Sequence, residues 1–144
     1  MKGQQHIVDL LWADDDCEDL LSPLSWKFKL EGFRLKTGST YKEAMEILEN
    51  NHIDSLLVDI ILPYATGTGT LGSNLGLELA ETAARKGVKS IVFLTVVLQS
   101  ELGEKYPQII SSYPQVKFDY SDKLLLLEPN HIEAIIEKLR NSSS

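Results

Sequence analysis

The chain has 144 residues, 43% hydrophobic and 24% charged, which suits one ordinary soluble globular domain. A net charge of −7 without a basic cluster argues against direct nucleic-acid binding, and no apolar run approaches the ~20 residues that a membrane span needs. Cys17 is the one cysteine, so an internal disulfide is excluded; with three scattered histidines a standard structural zinc site is excluded too, and a reducing cytoplasm is expected.

The first element is the apolar run HIVDLLWA (6–13), a strand that ends in acids. It lacks a small-residue cleavage site, so no signal peptide is expected. DCEDLLSPLSWKFKLEGF (16–33) reads as a helix with Pro23 in its first turn or at a kink. FRLKTG (33–38) is a short strand. STYKEAMEILENN (39–51) is a helix: Thr40 and Glu43 have capping-box spacing, and Tyr41, Ala44, Met45 and Leu48 form one stripe. SLLVDII (55–61) is apolar on both faces, as a central parallel strand is. NLGLELAETAARKG (74–87) is a helix with Asn74 as N-cap and Gly87 just past its end.

SIVFLTVVL (90–98) is a second buried strand. Within 99–114, PQIISSY can form a short helix started by Tyr106-Pro107. VKFDY (116–120) alternates like an edge strand, and PNHIEAIIEKLR (129–140) is a helix with Ile132, Ile135, Ile136 and Leu139 on one stripe. The expected core is 6–140, with 141–144 a polar tail or the start of a linker. Trp12 and Trp26 are expected in or near the core, and His6, His52 and His131 toward solvent. Strands alternating with helices predict an α/β fold: a doubly wound five-stranded parallel sheet with helices on both faces.

Ligands of such sheets bind at the carboxyl ends of the strands. The first strand ends in Asp14-Asp15-Asp16, the third at Asp59, the fourth carries Thr95 near its end, and Lys123 follows the fifth. Carboxylates gathered in one pocket repel each other, and a divalent cation relieves that; Mg²⁺ takes one or two carboxylates with water and phosphate oxygens. An aspartate can attack phosphorus, and a hydroxyl and a lysine can then meet the phosphoryl oxygens. An acid inside LLVDIIL is also costly to bury without a partner.

In these residues the sequence resembles the receiver domains of two-component response regulators, over about residues 6 to 140. LLWADDD is similar to the family's acidic-pair motif and implies Asp14 and Asp15 as metal-binding acids. LLVDIILP is similar to the phosphoacceptor motif and implies Asp59 as acceptor, with Pro63 at the expected offset and the Ile61 backbone carbonyl on the metal. FLTV and DYSDK imply Thr95 as the switch hydroxyl, Tyr120 as the switch aromatic and Lys123 as the site lysine. The resemblance implies the flavodoxin-like strand order 2-1-3-4-5, Mg²⁺ as cofactor, a sensor histidine kinase or phosphotransfer protein as donor, and a downstream output domain or protein. It implies no enzyme activity beyond the chain's own phosphorylation and slow dephosphorylation, and leaves room for a phosphorylation-dependent homodimer.

Three features depart from the family pattern. Val96 stands where a small residue usually follows the hydroxyl, Leu124 stands where a proline usually follows the lysine, and the loop after Pro63 and the Thr95–Lys123 interval are long. They bear on a rival reading, a receiver-like interaction module that no longer switches. Another rival is an aspartate-nucleophile phosphatase, from the D-x-D spacing of Asp14 and Asp16; there Glu18 replaces the usual threonine or valine. Gly67, Gly69 and Gly72 make a G-x-G-x-x-G match. It sits after the third strand with no suitably spaced acid, so a dinucleotide cradle is the weaker reading and a Gly/Thr loop beside the site the better one.

Overall fold

The computed structural model describes residues 6–15, 22–65, 75–97, 99–123 and 130–141. In chain order these form β1 (His6–Ala13), α1 (Ser22–Leu30), β2 (Leu35–Gly38), α2 (Tyr41–Asn50), β3 (Asn51–Val58), α3 (Leu75–Arg85) and β4 (Ser90–Thr95). A short 3₁₀ turn (Gln99–Leu102) then leads to α4 (Lys105–Ser112), β5 (Lys117–Asp122) and α5 (His131–Asn141). The strands make one parallel sheet of order β2-β1-β3-β4-β5. This is the expected doubly wound topology, and it brings every strand's carboxyl end to one edge.

Each central strand is buried on both faces because alternate side chains serve different cores. Leu11, Leu56, Val58 and Phe93 pack with residues of α2, α3 and α4. Leu10, Trp12, Leu57, Val92 and Leu94 pack with α1 and α5 through Leu24, Phe28, Ile135 and Leu139. A fully buried side chain of this size contributes about 1.5–3 kcal/mol.

Local sequence explains several helix ends. The Thr40 side chain accepts the Glu43 N–H at 3.1 Å, and the Glu43 carboxylate accepts the Ser39 N–H at 2.9 Å. One donor left over in the first turn of α2, and the Ser39 N–H just before the cap, are thereby satisfied. After α3, Gly87 has φ 98°, and the N–H groups of Gly87 and Val88 bond back to Ala84 and Ala83. That left-handed stop is one an L side chain resists. Pro23 lies in the first turn of α1, and Pro107 in the first turn of α4, where the missing N–H is no loss.

The structure moves several sequence-based boundaries. β3 begins at Asn51 and stops at Val58, not at 61; β4 stops at Thr95, not at 98. In both cases a side-chain oxygen captures a following N–H: Asp59 Oδ1 accepts from Ile61 at 3.1 Å and Thr95 Oγ1 from Val97 at 3.3 Å. Such short loops compete with the ladder and end it. β5 runs on to Asp122 because β4 continues to pair it through Leu94–Ser121 and Thr95–Asp122. α1 is observed from Ser22 to Leu30; the earlier part of the expected helix lies outside the described residues.

Trp12 is fully buried, as expected, but Trp26 is 68% exposed. The inward face of α1 is set by Leu24 and Phe28, and a residue midway between positions i and i+4 points the opposite way. His52 is exposed, whereas His131 is half-buried at the start of α5. Asn74, Cys17, Leu124 and the three glycines of the G-x-G-x-x-G match lie outside the described residues.

Candidate functional site

Asp14 directly follows β1 and Asp59 directly follows β3, neighbouring strands at the middle of the sheet. The Asp59 N–H donates to the Ala13 carbonyl at 3.0 Å, extending the β1–β3 ladder by one rung to the site itself. Both carboxylates are enclosed: Asp14 is 0% and Asp59 4% exposed. Asp15 is exposed beside them. One oxygen from each of Asp14, Asp15 and Asp59 can be chosen so that all three lie within 4.8 Å of one another.

Lys123 arrives from the end of β5, two strands away from β3. Its Nζ donates to Asp14 Oδ1 at 2.9 Å and to Asp59 Oδ2 at 2.8 Å. Burial works against its charge, but attraction to Asp14 and the hydrogen bond to Asp59 outweigh it and hold the ammonium above the ordinary lysine range. The departure at Leu124 therefore leaves Lys123 in direct contact with both acids. Among the described residues, three acids outnumber one lysine here, and a hard divalent cation would balance the difference. The oxygen-only donor set, partly open to water through Asp15, fits Mg²⁺ or Ca²⁺.

Thr95 is buried at the end of β4, next to β3, with its hydroxyl turned back onto the Val97 N–H. Tyr120 reaches the same short segment from β5: its hydroxyl donates to the Val97 carbonyl. Burial first, then the neighbouring Tyr106 hydroxyl and Asp59 carboxylate, pushes the Tyr120 hydroxyl up to about 12. Val96 is exposed between these contacts.

The topology thus gathers Asp14, Asp15, Asp59 and Lys123 into one cluster and sets Thr95 and Tyr120 on the adjoining strands. Sequence reasoning missed two residues around them. Tyr106 of α4 packs edge-on against Tyr120, ring centroids 5.6 Å apart, and also against Phe93. Gly76, in the first turn of α3, meets the backbone of Asp59. Its signal was a glycine inside an otherwise strong helix pattern, where glycine is disfavoured.

No family model matches the chain. In sequence it is 24% identical over 137 residues to response regulator SaeR of Staphylococcus epidermidis, covering 95% of this chain and 55% of that protein. The chain thus spans about half the length of the curated relatives it matches. In structure it is similar to a CheY-like response regulator receiver domain protein from Methanospirillum hungatei, with TM-score 0.67, 24% identity and coverage of 97% and 98% of the two chains. It is also similar to a Burkholderia pseudomallei response regulator solved with a phosphorylated aspartic acid, calcium ion and citrate, with TM-score 0.64, 18% identity and coverage of 96% and 69%. The chain has the CheY-like flavodoxin fold, and its relatives in sequence and neighbours in structure are response regulators and their receiver domains.

Proposed function

We propose that the chain is a single phosphoacceptor domain of a two-component phosphorelay, and that Asp59 takes the phosphoryl group. The observation that supports this most is the buried Asp59 carboxylate, 2.8 Å from the Lys123 ammonium and grouped with Asp14 and Asp15. A sensor histidine kinase or a phosphotransfer protein is the donor. An Asp59 oxygen forms the new O–P bond as the P–N bond of the donor phosphohistidine breaks, and the imidazole leaves with the bonding pair. Asp14, Asp15, Asp59 and the Ile61 carbonyl would hold Mg²⁺, which when bound supplies positive charge against the phosphoryl oxygens.

Lys123 offers a charged donor to the product and Thr95 a hydroxyl. To meet a phosphoryl oxygen, Thr95 gives up the Val97 N–H that it now accepts at 3.3 Å. Val97 is also the acceptor of Tyr120, so loss of one contact loosens the segment that holds the other. The surface of α4, β5 and α5 shifts between two populations as a result, and a downstream output domain or protein reads it. A phosphorylation-dependent homodimer through that surface and a cytoplasmic setting belong to the same reading.

Incubation with acetyl phosphate and Mg²⁺ tests it. Intact-mass analysis should show one added phosphoryl group in the wild type and none in Asp59→Asn. No added mass in the wild type, together with no Mg²⁺ binding, would sink the proposal. Ile61 and Val97, each two residues past a site residue, are apolar and cannot orient an attacking water, so the phosphoryl group should persist for minutes or longer. A half-life of seconds contradicts that part.

A further inference from the structure

Gly76 is the second residue of α3, and its N–H has no acceptor within the helix. It donates instead to the Ile60 carbonyl at 3.0 Å. A Cβ at this position would overlap the Asp59 carbonyl oxygen and stand 2.6 Å from Ile60 Cα and 2.8 Å from the Asp59 carbonyl carbon. The first turn of α3 is therefore in backbone-to-backbone contact with the site, a contact that glycine alone permits.

On its other side the same backbone is held by β1, where the Asp59 N–H meets the Ala13 carbonyl at 3.0 Å. Residues 59 and 60 are thus gripped between a strand and a helix. The carboxylate is aimed from that grip: Oδ1 takes the Ile61 N–H at 3.1 Å while Oδ2 takes Lys123 at 2.8 Å. Shifting the backbone by a side-chain's width would break both bonds or rotate the carboxylate away from Asp14 and Asp15. A misplacement of about 1 Å can cost on the order of a hundredfold in rate.

We propose that Gly76 is a positioning residue for Asp59: by lacking a Cβ it lets α3 clamp the Asp59–Ile60 backbone so that the carboxylate faces the incoming phosphoryl group. This deepens the phosphoacceptor reading and rests on it for its rate readout.

The test compares Gly76→Ala with Ala83→Gly, a buried position about two turns further along the same helix. Acetyl phosphate with Mg²⁺ gives the rate, and the Ile61 amide resonance reports where the Asp59 side chain points. Gly76→Ala should be phosphorylated at least about tenfold more slowly and should shift the Ile61 amide. Ala83→Gly should lose stability but keep rate and resonance near wild type. A wild-type rate in Gly76→Ala, or equal slowing in Ala83→Gly, overturns the proposal. If the wild type itself takes no phosphoryl group, the phosphoacceptor reading fails, and the Ile61 amide alone decides the positioning role; an unchanged resonance in Gly76→Ala overturns it. If Gly76→Ala does not fold, hydrogen exchange in the wild type decides. The Gly76 amide should be protected like a core strand amide, and exchange at the rate of an unbonded helix-start amide overturns the clamp.

Discussion

Asp14 and Asp59 are both buried, and a single ammonium, that of Lys123, bonds to each. Without that cation two carboxylates face each other in a low-dielectric site. Breaking a buried pair from one side typically costs about 3–5 kcal/mol. Lys123→Ala should lower the urea midpoint accordingly, and Mg²⁺ should restore more stability to the variant than it adds to the wild type, because it relieves the same repulsion. Tyr120 makes a separate prediction. Burial raises its hydroxyl to about 12, above its unfolded value of 10. The folded state therefore holds this proton more tightly, so the stabilisation is complete below pH 10 and is lost as pH rises toward 12. Urea unfolding across that window should show a steeper alkaline loss in the wild type than in Tyr120→Phe.

At the level of elements, the start of α2 shows what short-range sequence can encode. Thr40 and Glu43 were readable as a capping box, and both side chains make cap bonds, although Glu43 closes on the Ser39 N–H. Thr40→Ala should destabilise the fold by about 1 kcal/mol in urea unfolding, and Thr40→Ser should recover most of it. The ends of β3 and β4 were less readable. Apolar residues continue beyond both ends, Ile60 to Leu62 after Asp59 and Val96 to Leu98 after Thr95, so periodicity carries no stop signal there. The stop comes from the Asp59 and Thr95 side chains folding back on the next N–H groups. Those are the same residues that the site needs, and the loop geometry that ends each strand is what sets its side chain at the sheet edge.

For the molecule as a whole, the two tryptophans report on how the layers close. Trp12 lies in the core between the sheet and α1 and α5, while Trp26 faces solvent from α1. Iodide should quench the emission of Trp26 and leave that of Trp12 nearly untouched, so Trp26→Phe should yield a blue-shifted, quench-resistant protein; strong quenching of that variant would contradict the packing. Much of this architecture was legible from the chain itself. Apolar runs of strand length alternating with amphipathic helices specify a parallel sheet, and a parallel sheet must put Asp14, Asp59, Thr95 and Lys123 at one edge, because all its strands point the same way. The tertiary structure decided the rest. Which acid is sealed and which is open, the reach of Lys123 across to both acids, the outward turn of Trp26 and the bare contact of Gly76 with Asp59 all depend on distances between residues far apart in the chain. Periodicity and capping are local properties that neighbours along the sequence carry, whereas those distances exist only once sheet register and helix packing have set them.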